Sequence, residues 1–97
     1  MLAMGIVKMY LLKLFFDYLI ELDITTREDT SVLEYLKVIE LDVPNHSCEI
    51  DANFEAMNLV IAKLNELRLS YTAIQLVPYD EESNYKVGSF KILDIGI

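Results

Sequence analysis

One segment of this 97-residue chain carries its apolar side chains at the period of an α-helix, and this constrains the fold more than any other feature. Within residues 51–69, apolar residues recur at three- and four-residue steps and so share one helix face. They are Phe54, Met57, Val60, Ile61, Leu64 and Leu67. Asp51 is the expected N-cap, because its carboxylate can accept hydrogen bonds from the first free backbone N–H groups. We therefore predict a long helix over residues 51–69.

Four other segments predict β-strands. They are Tyr18–Thr25, Leu36–Val43, Tyr71–Val77 and Tyr85–Ile95. The first two share the string Ile-Glu-Leu-Asp, in which apolar and acidic residues alternate as in a half-buried strand. Pro44 and Pro78 end the second and third strands, and Gly88 inside the fourth indicates a β-bulge. Between the first two strands we expect either a helical turn beginning near Thr26 or a long hairpin loop.

Residues 6–17 fit either a helix or a strand. In a helix, Tyr10, Lys13, Asp17 and Glu21 form a polar stripe, on which Lys13 and Asp17 can pair. In a strand, the dense leucine and phenylalanine content makes both faces apolar. The element order is then (α or β)-β-β-α-β-β. It predicts a small single α+β domain over residues 1–97, with a mostly antiparallel four-stranded sheet and the long helix between strands 2 and 3.

Composition excludes several classes of protein. Hydrophobic residues make up 54% of the chain, which is too many for an intrinsically disordered protein. The formal net charge of -8 opposes phosphate binding, so we expect no direct contact with nucleic acid. Charged residues interrupt the apolar N-terminal run every two to five positions, so we expect no membrane span and a cytoplasmic location. These charges are Lys8, Lys13, Asp17, Glu21 and Asp23.

Cys48 and His46 are the residues that could carry nucleophilic or metal chemistry. A thiol close before a helix can have its pKa lowered by the free N–H groups there. However, the chain has no second Cys with which to form a disulfide, and Glu49 and Asp51 would raise the thiol pKa. Two or three ligands within six residues are a weak metal signal. We interpret Cys48 as a partly buried small apolar residue and His46 as a solvated loop residue.

Four carboxylates could line one face of neighbouring strands. They are Glu21, Asp23, Glu40 and Asp42. Paired carboxylates can act as general acid and base when their surroundings separate their pKa values. Like charges that face each other across strands also repel, so we interpret these residues as a solvent-exposed face.

The chain holds more apolar side chains than one helix on one sheet can cover. A monomer would then expose a larger apolar patch than soluble monomers normally do. The commonest solution is a second copy related by a two-fold axis, so we expect a homodimer. The possible dimer interface consists of Leu12, Leu14, Phe15, Phe16, Leu19, Ile92, Leu93 and Ile95.

We predict no catalytic residue, no metal site and no cofactor. The leading hypothesis is a non-enzymatic protein-interaction module, a homodimer whose acidic outer surface contacts an unidentified protein partner. One alternative is an acidic nucleic-acid mimic that inhibits a DNA- or RNA-binding protein. The second alternative is a small-molecule-binding or small enzymatic domain with a pocket between helix and sheet. Tyrosines lining that pocket would include Tyr71, Tyr79 and Tyr85.

Overall fold

A computed structural model describes residues 2–29, 34–76 and 87–97, and these form two helices and four strands. In chain order they are α1 (Leu2–Glu28), β1 (Leu36–Asp42), β2 (Ser47–Asn53), α2 (Phe54–Glu66), β3 (Thr72–Leu76) and β4 (Val87–Leu93). The strands form one antiparallel sheet in the order β1-β2-β4-β3. The predicted α+β class, four-stranded antiparallel sheet and helix between the second and third strands are therefore confirmed.

The predicted strand Tyr18–Thr25 is wrong, because these residues continue helix α1. Leu12, Phe15 and Leu19 lie three or four positions apart and are almost fully buried. The partly buried Leu22 and Thr26 extend the same helical face. The alternation in Ile-Glu-Leu-Asp covers only four residues, whereas burial at helical spacing runs from Leu12 to Thr26, so the longer pattern agrees with the structure.

Strand β2 was not predicted, since its residues were assigned to a loop and to the start of the helix. Cys48, Ile50 and Ala52 are buried and alternate with polar residues, which is the pattern of a half-buried strand. Asp51 therefore lies in β2, and the N-cap of α2 is Asn53. The Asn53 Oδ1 accepts a hydrogen bond from the backbone N–H of Ala56 at 3.0 Å.

The predicted helix face is confirmed at Met57, Val60 and Leu64, which are buried. Phe54 was expected in the core but is 74% exposed. It is the first residue of α2, directly after the sheet ends, and its side chain lies outside the apolar layer. Ile61 and Leu67 pack at the edge of the core.

The irregularity in the sheet lies in β1 and not at Gly88. The register between β1 and β2 shifts between Val38 and Glu40, whereas Gly88 pairs in register with Ala52. The predicted bulge at Gly88 is therefore wrong. A Cβ there would lie 3.3 Å from the amide nitrogen of Gln75, an exposed and flexible side chain that can move aside, so no tight contact requires the glycine. Strand β1 ends at Asp42, one residue before the predicted end at Val43, and Pro44 lies in the turn over residues 43–46 that follows. Pro78 lies outside the described residues.

Both helices pack on the same face of the sheet, α1 over β1 and α2 over β2. Between helices and sheet lies one apolar core. Its largest fully buried side chains are Leu12, Phe15, Leu19, Leu36, Ile50, Val60, Leu64, Ile92 and Ile95. Within the described part of the chain, neither helix is both long and apolar enough to span a bilayer.

Candidate interaction surface

Most of the predicted interface residues lie inside a single chain. Six of them are at most 4% exposed. These are Leu12, Phe15, Phe16, Leu19, Ile92 and Ile95. Leu14 and Leu93 are partly buried. The six therefore supply the monomer core, and an interface between copies requires other side chains.

Helix α1 carries an exposed stripe on the side that faces away from the core. We define the α1 stripe by positions separated alternately by four and three residues, the spacing of a helix-pairing seam. Its members are Ile6, Tyr10, Lys13, Asp17, Ile20 and Ile24, all of them exposed. The four apolar and aromatic members are between 43% and 70% exposed. A face this apolar and unburied is a candidate for contact with another macromolecule.

A groove runs beside the α1 stripe, between α1 and the end of β1. Its volume is about 420 Å³, and its lining combines residues of the stripe with neighbouring apolar side chains. From α1 come Met9, Leu12, Lys13, Phe16, Asp17 and Ile20, from β1 comes Leu41, and from the turn after β1 comes Val43. The groove extends the apolar surface of the stripe sideways over the sheet edge.

A second cleft lies on the other side of α1, against the end of α2. Its volume is about 450 Å³, and Val7 and Leu11 face Leu67 and Leu69 across it. Lys8 and Arg68 also line this cleft. The tyrosines predicted to line a pocket do not lie here: Tyr71 packs against the core, and Tyr79 and Tyr85 lie outside the described residues.

The four predicted carboxylates do not share a face. Glu21 and Asp23 lie on α1, because the first predicted strand is helical. Glu40 and Asp42 lie on β1, and the register shift sets Glu40 opposite Glu49 of β2. Lys91 lies 3.9 Å from Glu49, which reduces the repulsion between the two carboxylates.

The outer face of the sheet, opposite the helices, carries much of the remaining charge. In strand β2 the polar Glu49 and Asp51 alternate with buried residues, so they point away from the core. Lys37 is the cross-strand neighbour of Asp51, and Lys91 that of Glu49. Three carboxylates, those of Glu40, Glu49 and Asp51, therefore lie among two basic residues on this face.

Cys48 and His46 occupy structural positions. Burial raises the pKa of the Cys48 thiol to about 12, the reverse of the lowering that activates a nucleophile. The His46 Nδ1 lies 3.1 Å from the Ile95 carbonyl oxygen, and the Ile95 N–H donates to the His46 carbonyl at 3.0 Å. His46 is thus half-buried and tied to the C-terminal segment, not a freely solvated loop residue. Across the described ranges, no three His, Cys or acidic residues are grouped to hold a metal ion.

Comparison with protein-family models, with curated proteins and with solved structures finds no match. The spacing of the α1 stripe was available in the sequence, and the polar stripe predicted at Tyr10, Lys13 and Asp17 contains half of it. The sequence predicts a strand over Tyr18–Thr25, which hides Ile20 and Ile24, and Ile6 shares their face only when α1 is one continuous helix. The signal that could have found them is the four- and three-residue spacing, which continues from residues 6–17 into Tyr18–Thr25.

Proposed function

We propose that this protein is a non-enzymatic interaction module that works as a homodimer and presents an acidic outer surface to a protein partner. The observation that carries the proposal is the large apolar exposure on α1. Ile6 and Tyr10 are 70% and 61% exposed. Soluble monomers rarely leave so apolar a surface in water, and burial against a second chain recovers roughly 25 cal/mol per Å² of apolar area.

The proposed contact of an acidic surface with a protein partner is supported by the outer face of the sheet. Glu40, Glu49 and Asp51 lie on the side of the sheet that the helices leave open. A partner with a basic surface matches such a face, and charge complementarity speeds association and selects against wrong partners. Because Lys37 and Lys91 interrupt the carboxylates, the face suits a protein better than it suits imitation of the uniform charge of a nucleic acid.

The assignment of a non-enzymatic role rests on what the reactive side chains do. The Cys48 thiol lies in the core with its pKa raised, and His46 bonds to the backbone near the C-terminus. Both groups serve packing and local structure. A lone free thiol is compatible with a reducing compartment, and we propose a cytoplasmic location.

The partner can be tested by retention on immobilised protein. We expect a cellular protein to be retained by the wild-type chain and lost on the outer-face variant E40Q/E49Q. The matched control E55Q/E66Q removes two exposed carboxylates from α2 and should retain the protein. Equal retention by all three forms, or by none, contradicts the role of the acidic face.

A further inference from the structure

The α1 stripe is complementary to itself when two copies of α1 run antiparallel. Its midpoint lies between Lys13 and Asp17, and each member has a counterpart at the same distance on the other side. In an antiparallel pair centred on this midpoint, Ile6 faces Ile24, Tyr10 faces Ile20, and Lys13 faces Asp17. Every apolar member thus meets an apolar member, and each charge meets an opposite charge.

We propose that a second copy of this chain docks on the α1 stripe, with the two α1 helices antiparallel about a two-fold axis and Lys13 of each copy paired with Asp17 of the other. This inference rests on the homodimer proposed above and assigns its interface. An interface made by the same patch of both copies is the geometry that a two-fold axis requires.

The distribution of charge along α1 selects the antiparallel direction. Residues 1–16 contain two lysines and no acidic residue, whereas residues 17–29 contain five acidic residues and one arginine. Antiparallel packing sets the basic half of each helix along the acidic half of the other. Parallel packing would set like charges side by side, which is unfavourable.

Lys13 and Asp17 are available for pairing between copies. The ion pairs between described residues are Asp23–Arg27, Lys63–Glu66 and Lys91–Glu49. The pairing of Lys13 with Asp17 within one helix, which their spacing permits, is not formed. Both side chains are exposed on the stripe and sit between its two apolar ends.

The shape of the surface fits a second helix. Side chains spaced alternately four and three residues apart form one row that faces the partner helix when two helices cross at about 20°. The groove between α1 and the end of β1 shares Lys13, Asp17 and Ile20 with the stripe. A helix seated on the stripe therefore also covers Met9 and Val43, which are both 45% exposed.

The test reverses the charge of Lys13 in one chain and the charge of Asp17 in another. K13D presents only acidic residues at the centre of the stripe, and D17K presents only basic ones. We expect each variant alone to dimerise at least about tenfold more weakly than the wild type, because both interchain pairs become repulsive. Mixed in equal amounts, the two variants should form a heterodimer of wild-type affinity, since every pair is then complementary.

Native mass spectrometry measures the result, because the two homodimers and the heterodimer differ in mass. Circular dichroism shows that each variant is folded, and R68D and E40K serve as charge-reversal controls at exposed positions outside α1. A heterodimer well above the statistical half of all dimers supports the proposal. A statistical mixture, or variants that dimerise like the wild type, overturns it.

The same experiment separates this inference from the homodimer proposal. A wild-type chain that dimerises, but whose affinity is unchanged by K13D and D17K, has its interface elsewhere. In that case the homodimer stands and only the helix pairing fails. A wild-type chain that is monomeric at about 100 μM contradicts both proposals.

Discussion

The Asp23 Oδ2 of helix α1 accepts a hydrogen bond from the backbone N–H of Val38 in strand β1, at 2.9 Å. One helical turn later, the Thr26 hydroxyl accepts from the Leu36 N–H at 3.3 Å and lies 3.1 Å from the Leu36 carbonyl oxygen. Strand β1 is an edge of the sheet, and free edge groups invite pairing with other chains. Side chains of helix α1 therefore provide hydrogen-bond partners for some of the backbone groups at that edge.

The contact between Asp23 and Val38 predicts that D23A destabilises the monomer. The substitution leaves the Val38 N–H without its acceptor and removes the 2.6 Å ion pair to Arg27. We expect a loss of about 1–2 kcal/mol in the free energy of unfolding, measured by urea denaturation. E21A, on the exposed side of the same helix, is the control and should change stability by less than about 0.5 kcal/mol. Equal effects of the two variants would refute the role given to Asp23.

Asn53 joins two parts of the chain and predicts a second stability effect. Its side chain is buried, and its Oδ1 accepts from the N–H groups of Tyr35 at 3.1 Å and Ala56 at 3.0 Å. N53A should cost about 1–2 kcal/mol, because it removes the cap of α2 and the bond to Tyr35. D51A changes the residue that the sequence suggested as the cap and should cost clearly less. If thermal or urea unfolding shows a larger loss for D51A than for N53A, Asn53 is not the cap of α2.

Adjacent residues on α1 should separate monomer stability from dimer formation. Leu19 is fully buried and Ile20 is 43% exposed on the α1 stripe. L19A should cost about 2–5 kcal/mol of monomer stability by leaving a cavity in the core. I20A should cost the dilute monomer clearly less than L19A, because Ile20 is only partly covered, and it should weaken the dimer. Urea denaturation at low concentration and light scattering at high concentration measure the two effects, and an I20A chain that dimerises like the wild type speaks against the stripe.

Cys48 predicts a specific pH dependence. The folded thiol has its pKa raised from 9.0 to about 12 by burial, so above pH 9.0 the unfolded chain loses the thiol proton while the folded chain keeps it. The contribution of Cys48 to stability therefore falls as pH rises from 9.0 toward 12, by up to about 1.4 kcal/mol per pH unit. The difference between wild type and C48A, measured by urea denaturation across this range, isolates the effect. A difference that does not change with pH contradicts it.

The buried thiol should also resist labelling in the folded protein. Near pH 8 only about one thiol in ten thousand is ionised at such a pKa, and the reagent must reach a side chain that is 3% exposed. We expect reaction with an aromatic disulfide reagent only after denaturant is added. Rapid labelling of the native chain would show that Cys48 is accessible and would undermine its structural role.

The elements predicted most accurately are those with one strong local period. Strands Leu36–Val43 and Tyr71–Val77 and the helix over 51–69 lie within a few residues of β1, β3 and α2. Strand β2 was missed because its alternating residues run directly into the helix, with Asn53 serving both as the end of the strand and as the cap. The local pattern of apolar residues alone gives no reason to end a strand and begin a helix at Asn53.

The interface residues were harder to predict than the fold. Apolar density selects the most buried side chains, which is why Leu12, Phe15 and Leu19 were named as interface and prove to be core. The exposed stripe of α1 is less apolar and contains charges at its centre. It can be recognised only after residues 6–24 are known to form one continuous helix, because only then do Ile6 and Ile24 share a face.

One copy of this chain leaves apolar surface exposed on α1, and we propose that a second copy covers it. Sedimentation equilibrium of the wild-type chain between about 1 and 100 μM tests it most directly, because association depends on concentration. We expect a mass that rises to twice the 11.2 kDa of one chain and goes no higher. A mass that stays at 11.2 kDa over the whole range would contradict it.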